Sequence, residues 1–219
     1  MNRFTIPAFC SLAATIGGLY GWTRLRSEVG GTESPVPEVF DATTKHVVTG
    51  RMAEASRAIE RRAAPPFEAD GSDGRRRSLA GFAHRGPLVL TFVKVGCPCS
   101  EAAQPFLNRL HAALPVVPIL GVIDVDSEKA QAWAGRFRVE YPLLLDQSNR
   151  IVRDYQVENS AYVVVIDAEG RILKHWPGYS AGMLRDLAAM LAGATGIPTP
   201  PVDVADAPDD LYTGCPYEL

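Results

Sequence analysis

The side chains with the clearest chemical potential are two cysteines one residue apart, in the segment Cys97-Pro98-Cys99-Ser100. An apolar run precedes this segment, and a helical pattern at 101–114 follows it. We expect Cys97 to cap that helix and Pro98 to be its first residue, because proline has no amide hydrogen to leave unpaired there. The positive helix end and its free N–H groups stabilise a thiolate. The segment therefore predicts a reactive thiol at Cys97, in a redox or metal site.

Three other residues bear on this chemistry. Lys94 would lower the pKa of Cys97 by its charge if its side chain turns toward the thiol. Oxidation of Cys97 by a peroxide gives a sulfenic acid, which a second thiol resolves as a disulfide. Cys99 is the nearest candidate for that thiol, and Cys215, in a tail rich in proline and aspartate, is the other. The sequence leaves this choice open.

Length and composition limit the possible classes of protein. The 219 residues, 47% hydrophobic and 21% charged, suit one globular domain with extensions. A net charge of −3 argues against nucleic acid as the main partner. Four cysteines are too few for a disulfide-stabilised scaffold, which favours redox or metal chemistry for Cys97, Cys99 and Cys215. The domain has no glycine-rich phosphate loop, and we expect no bound cofactor.

A targeting segment is predicted at 1–26. An uncharged stretch from residue 4 to residue 22 follows a short basic start, and its length is close to the roughly 20 residues that span a bilayer. No small-residue cleavage site follows it, which favours an uncleaved signal anchor over a signal peptide. Lipidation of Cys10 is disfavoured because the bulky Phe9 precedes it. We expect a membrane-anchored protein whose redox domain lies outside the cytoplasm.

The rest of the chain divides into three parts. These are a linker with a helical spacer at 27–63, an α/β domain at 64–193, and a proline-rich tail at 194–219 that carries Cys215. The spacer helix is predicted within 38–64.

Periodicity in the domain predicts alternating strands and helices. Strands are predicted at 88–95, 116–125, 142–145, 162–166 and 171–176. Helices are predicted at 101–114, 127–137, 149–155 and 183–192, with Ser127 as the N-cap of the second. The order β-α-β-α, followed by β-β-α, describes an α/β thioredoxin-like sandwich, with a central mixed sheet and flanking helices. Cys97 follows its first core strand.

Four segments of this domain carry a resemblance to a known family. They are the opening residues 65–82, the strand leading to Cys97, the spacing from Cys97 to Pro105, and the hairpin at 162–172. In order and spacing they resemble a redoxin of the alkyl hydroperoxide reductase/thiol-specific antioxidant family, in the thioredoxin-like superfamily. The resemblance covers about residues 64–192.

The resemblance implies a thiol–disulfide oxidoreductase or a peroxiredoxin-like antioxidant protein with Cys97 as its nucleophile. Its implied partners are a peroxide or a protein disulfide or thiol as substrate, and a thiol reductant. The membrane is a further expected partner, through the N-terminal helix predicted from the apolar stretch at the start of the chain. Three positions depart from the family pattern. Ser100 stands where the thioredoxin pattern has its second cysteine, Lys94 where peroxiredoxins have a threonine, and Ala161 where the superfamily has a cis-proline.

Two alternatives remain at this stage. Cys97 and Cys99, together with His175, suit a soft metal such as Cu(I), and membrane-anchored thioredoxin-like copper chaperones resemble this layout. Their usual Cys-x-x-x-Cys spacing is absent here. The second alternative is a degenerate redoxin domain that acts as a binding module. The missing proline and threonine motivate it, and the retained cysteine pair argues against it.

Overall fold

Strands and helices alternate along most of the chain in a computed structural model that describes residues 46–219. The strands are β1 (Glu68–Asp70), β2 (Arg76–Ser78), β3 (Leu88–Val93), β4 (Ile119–Ile123), β5 (Leu143–Leu145), β6 (Val163–Ile166) and β7 (Ile172–Trp176). The helices are α1 (Gly50–Ile59), α2 (Pro98–Ala113), α3 (Ser127–Phe137), α4 (Arg150–Asp154) and α5 (Ala181–Thr195), with a 3-10 turn at Leu79–Phe82.

The central sheet has five strands in the order β5-β4-β3-β6-β7, and β1 and β2 form a separate hairpin. β3, β4 and β5 are parallel, because α2 and α3 carry the chain back across the sheet between them. β6 runs antiparallel to β3, and a tight turn joins it to β7 as an antiparallel partner. This mixed sheet confirms the thioredoxin-like fold that the element order predicts.

β3 lies at the middle of the sheet and is buried on both faces. All six of its residues are buried, which explains why the sequence shows a continuous apolar run instead of an alternating one. Val89 and Val93 pack with α2, α3 and α5 on one face. Leu90 and Phe92 pack with α1 and α4 on the other face. This double burial fixes the end of β3, and so the point at which Cys97 emerges.

The N-terminal spacer predicted at 38–64 differs from the structure in length and in role. Its helix is α1, which begins after the N-cap Thr49 and packs Met52 and Ile59 into the core on one face of the sheet. Residues 46–48 pair with the C-terminal tail through backbone hydrogen bonds. The segment is therefore packed against the domain instead of standing apart as a spacer. Residues 38–45 lie outside the described part of the chain.

Two boundaries in the parallel half of the sheet also differ from prediction. The strand predicted at 116–125 is limited to β4, because a turn closed by the Val117 amide and the Leu114 carbonyl precedes it, and Val116 is exposed. The N-cap of α3 is Asp126 and not Ser127. The Asp126 carboxylate accepts a hydrogen bond from the Lys129 amide at 2.9 Å, which leaves Ser127 as the first helical residue.

The predicted anchor at 1–26, including Cys10, lies outside the described residues. Between residues 46 and 219, no helix is both long and apolar enough to cross a membrane.

Candidate active site

Cys97 lies at the junction of β3 and α2. It is the N-cap of α2, and Pro98 is the first helical residue, as the sequence predicts. The turn between the two elements is closed by a hydrogen bond of 3.2 Å from the Cys97 amide to the Lys94 carbonyl. Gly96 within it has φ +80°, a conformation that favours glycine. The Cys97 side chain is only 1% exposed, so it lies beneath other parts of the chain.

The Cys97 sulfur is surrounded by hydrogen-bond donors. The Cys99 thiol is the strongest of them, followed by the Cys215 thiol, the Ser160 hydroxyl and the Ser100 amide, and together they lower the pKa of Cys97 to about 3 against the opposing effect of burial. The Ser160 Oγ and Cys97 Sγ atoms are 3.2 Å apart. The Cys215 amide nitrogen is 3.0 Å from the same sulfur. Cys97 is therefore a buried thiolate at a helix N-terminus.

Cys99 and Cys215 keep their protons because Cys97 has lost its own. The pKa of Cys99 is raised, chiefly because its thiol donates to the Cys97 thiolate, and also by burial. The pKa of Cys215 is raised to about 11 by partial burial and by the same thiolate, while the Lys94 charge opposes this rise. All three thiols are free. The fold thus brings one thiolate and two thiols together, and the second thiol belongs to the distant tail.

The C-terminal tail covers the cluster and is held there by backbone hydrogen bonds. The Gly214 amide donates to the Ser160 carbonyl, and the Ser160 amide donates to the Cys215 carbonyl, each at 2.9 Å. Further along, the Tyr217 amide donates to Glu158 at 3.0 Å. The approach at Gly214 is so close that a Cβ would contact Ser160 Oγ and lie 2.7 Å from its carbonyl oxygen. Only glycine allows the tail to lie this near Cys97.

Lys94 and Ser100 hold this arrangement instead of contacting the Cys97 sulfur with their side chains. The Lys94 Nζ atom donates to the Pro216 carbonyl at 2.7 Å, which ties the tail to the end of β3. The Ser100 hydroxyl accepts a hydrogen bond from the Lys94 amide at 3.2 Å and is buried. The position of the second cysteine in the thioredoxin pattern is therefore occupied by a residue that fixes the turn before Cys97.

Ala161 takes the place of the family proline in a different backbone conformation. No peptide bond in residues 46–219 is cis, and Ala161 has φ +61°, in the left-handed region. Its amide donates to the Phe92 carbonyl at 2.7 Å. Proline has neither that φ nor an amide hydrogen. The conformation presents the preceding residue, Ser160, to Cys97 and to the tail.

The copper site that the sequence suggests with His175 is wrong. Both ring nitrogens of His175 are 3.0 Å from other groups, one from Ser56 Oγ and one from the Tyr155 carbonyl oxygen. Burial lowers the pKa of this ring and keeps it neutral in the core. Across the described chain, no group of three or more His, Cys, Asp or Glu side chains has the geometry of a metal site.

Sequence reasoning missed two members of the site, Ser160 and His46. His46 Nδ1 lies 3.2 Å from Cys99 Sγ. The position of Ser160 directly before Ala161 was a usable signal, because Ala161 already stood out as a departure from the family pattern. Nothing near His46 in the sequence pointed to the site, because the tail brings the histidine there through pairing that only the fold creates.

Comparison with known proteins assigns the central part of the chain to a known family. The AhpC/TSA family pattern matches residues 61–175, just over half of the chain. The chain belongs to the AhpC/TSA family. A relative, the thiol-disulfide oxidoreductase ResA of Geobacillus thermodenitrificans (strain NG80-2), is 26% identical over 117 residues, which are 51% of this chain and 65% of the relative. The match therefore spans less than two thirds of that protein.

Solved structures share the fold. A secreted Mycobacterium tuberculosis disulfide oxidoreductase homologous to E. coli DsbE matches with a TM-score of 0.51 and 25% identity, covering 58% of this chain and 95% of that one. The Chlorobium tepidum protein described as a thiol:disulfide interchange protein DsbE matches with a TM-score of 0.56 and 19% identity, covering 62% and 96%. At that identity the second likeness bears on the fold alone.

The AhpC/TSA segment does not contain the whole site. Cys97, Cys99 and Ser160 lie within residues 61–175, whereas His46 and Cys215 lie on either side of that range. The two flanking segments pair with each other, since the Thr213 amide donates to the His46 carbonyl at 2.7 Å. Two segments that flank the AhpC/TSA match and pair with each other therefore lie against the cysteines within it.

Proposed function

We propose that this protein is a thiol–disulfide oxidoreductase in which the Cys97 thiolate attacks a disulfide of a protein substrate. The observation that carries the proposal is the Cys97 sulfur at the α2 N-terminus, with donors from Cys99, Cys215 and Ser160. A thiolate is the attacking species in disulfide exchange, and a helix N-terminus stabilises it. The similarity to ResA and to the secreted mycobacterial oxidoreductase supports the same activity.

The exchange takes two steps. The Cys97 thiolate attacks one sulfur of the substrate disulfide, a mixed disulfide forms, and the other substrate sulfur leaves as a thiolate. A second protein thiol then loses its proton and attacks Cys97, which releases the first substrate sulfur. The protein is oxidised by two electrons and the substrate disulfide is reduced. An external thiol reductant returns the protein to its starting state.

Cys99 is the resolving thiol that we propose for protein substrates. Gly214 and Cys215 lie directly over Cys97, which is 1% exposed, so a protein disulfide reaches the sulfur only after the tail moves. The part of the tail that must move begins at Gly214, so it carries Cys215 away, while Tyr212 and Thr213 stay paired with Tyr179 and His46. Cys99 lies in the first turn of α2 and stays beside Cys97 whatever the tail does.

A second candidate function, peroxide reduction, is favoured by the position of Cys215. A peroxide is far smaller than a protein disulfide and needs a smaller displacement of the tail to reach Cys97, where it converts the thiolate to a sulfenic acid with release of an alcohol or water. Cys215, already in contact with Cys97, then condenses with the sulfenic acid to form a disulfide and water. The two functions thus predict different disulfides, Cys97–Cys99 after a protein disulfide and Cys97–Cys215 after a peroxide.

Disulfide mapping by mass spectrometry tests both. The reduced protein is exposed either to an oxidised protein substrate or to hydrogen peroxide, quenched by alkylation, and digested. We expect the Cys97→Ser variant to form neither disulfide. If Cys97 is oxidised no faster than Cys10 by either oxidant, both catalytic proposals fail. Unchanged cellular function of Cys97→Ser would instead support the binding-module alternative.

We also propose that the domain works outside the cytoplasm, attached by the apolar N-terminal stretch. The secreted mycobacterial relative supports this location. A membrane-impermeant maleimide applied to intact cells should label the cysteines of the Gly214→Ala variant, whose tail cover is weakened. Labelling only after lysis would place the domain inside.

A further inference from the structure

His46 is the imidazole in contact with the thiol cluster. It is partly buried at the start of the described chain, and its Nδ1 lies 3.2 Å from Cys99 Sγ. Its backbone is held by the tail, because its carbonyl accepts the Thr213 amide and the next residue, Val47, bridges to Tyr212. The ring is therefore held in place on the side of Cys99.

The Cys99 thiol carries one hydrogen, and two neighbouring groups can accept it: the Cys97 thiolate and the His46 ring. In the reduced protein the hydrogen points to the Cys97 thiolate, which is the stronger acceptor because it is charged. A mixed disulfide at Cys97 removes that charge. The largest cause of the raised Cys99 pKa, its hydrogen bond to Cys97, disappears with it. The thiol hydrogen then has an imidazole nitrogen at hydrogen-bonding distance.

The other ionisable groups around the cluster face elsewhere. The Lys94 ammonium donates to Pro216, and the Asp124 carboxylate accepts from the Val95 amide. Burial raises the pKa of Tyr179, and electrostatic interaction with the cysteine cluster raises it further, so this phenol stays protonated. Cys215 leaves with the tail, and Tyr212 pairs with Tyr179 through its backbone.

We propose that His46 accepts the proton of Cys99 as Cys99 attacks the mixed disulfide at Cys97. This inference rests on the proposed function, because it assigns the base for its second step. The Cys99 proton moves to His46 Nδ1, the Cys99 sulfur bonds to Cys97 Sγ, and the bond from Cys97 to the substrate sulfur breaks with release of a thiolate. A positioned general base typically accelerates such a step about 10²–10⁴-fold.

Ellman's reagent separates the two steps in one experiment. The full-length protein carries Cys10→Ser and Cys215→Ser, so that Cys97 and Cys99 are its only thiols, and it is mixed with one equivalent of reagent. Attack by Cys97 releases one thionitrobenzoate, and resolution by Cys99 releases the second, each followed at 412 nm. Adding Cys99→Ser should abolish the second phase, because no thiol then remains to attack Cys97.

His46→Gln should slow the second phase about 100-fold at neutral pH, with little change in the first. It should also steepen the pH dependence of the second phase, because the proton then goes to hydroxide. His84→Gln is the matched control, since His84 is exposed at the opposite end of β3, and it should change neither phase. For His46→Ala, added imidazole should restore the second phase in proportion to its concentration, which a purely structural role of His46 does not predict.

The outcomes distinguish the two proposals. In Cys97→Ser the remaining thiol is Cys99, so at most one thionitrobenzoate is released, and we expect its release to be slower than the parent's first phase. A first phase at the parent's rate in that variant refutes the proposed function. If the first phase is normal and His46→Gln does not change the rate of the second phase, the proposed role of His46 is refuted and the proposed function is not. A slow second phase in His46→Ala that imidazole does not accelerate does the same, because it points to a structural contribution.

Discussion

Replacing Gly214 with alanine should uncover Cys97. The new Cβ would contact Ser160 Oγ and lie 2.7 Å from the Ser160 carbonyl oxygen and 2.8 Å from its carbon, so the tail backbone must move outward. Three hydrogen bonds depend on this approach: Gly214 to Ser160, Ser160 to Cys215, and Cys215 to the Cys97 sulfur. To the stability of the closed tail, the two neutral hydrogen bonds contribute about 1 kcal/mol each and the bond to the thiolate about 2 kcal/mol.

Loss of half of that total, about 2 kcal/mol, raises the population of the open tail about 30-fold. Alkylation of Cys97 by a bulky maleimide measures this population, because the covered sulfur is 1% exposed. We therefore expect Gly214→Ala to be alkylated at Cys97 about 30-fold faster at pH 7, because the Cys99 thiol, the main group that lowers the pKa of Cys97, stays beside the sulfur when the tail opens. Fragment ions between Cys97 and Cys99 locate the label.

The matched control is Gly135→Ala. Gly135 lies in α3, and a Cβ there meets no atom within 4 Å. Alanine also suits a helix better than glycine. We expect this variant to be alkylated at the rate of the parent protein. Equal rates in the parent, Gly135→Ala and Gly214→Ala would mean that the tail is not the barrier over Cys97, and the steric reasoning would be refuted.

Three further predictions concern single side chains. Ala161→Pro should destabilise the fold by about 3 kcal/mol or more in urea unfolding. Proline cannot adopt φ +61°, and it has no amide hydrogen to donate to the Phe92 carbonyl. A stability equal to the parent's would contradict this. Cys99→Ala should raise the pKa of Cys97, measured by thiolate absorbance at 240 nm, since the Cys99 thiol is the main group that lowers it. The free energy of unfolding should fall as pH drops below about 6.5, the ordinary pKa of a histidine ring. Burial lowers the pKa of His175 in the folded protein, so below that pH the unfolded chain takes up a proton that the folded protein does not. His175→Ala should weaken that pH dependence and lower stability by about 2 kcal/mol for its two lost hydrogen bonds.

The fold could be predicted from short stretches of sequence, because each strand, helix and turn depends mainly on residues that are neighbours along the chain. The continuous apolar run of β3 and the turn from β6 to β7 each follow from neighbouring residues, and their order along the chain leaves few topologies. The N-cap at Cys97 followed from Pro98 in the same way. The error at Ser127 has a local cause too, since Asp126 and Ser127 are both good N-caps and sequence does not rank them.

The sequence by itself determined where the reactive cysteine lies, because a strand, a proline and a helix fix that junction within a few residues. It did not determine which groups surround the sulfur. Ser160, Cys215 and His46 reach it from three separate parts of the chain, through backbone pairing between the tail and two other segments. Such pairing uses amide and carbonyl groups that every residue carries, so it leaves no side-chain pattern to read. Only the tertiary structure decided that the thiolate is covered, and by what.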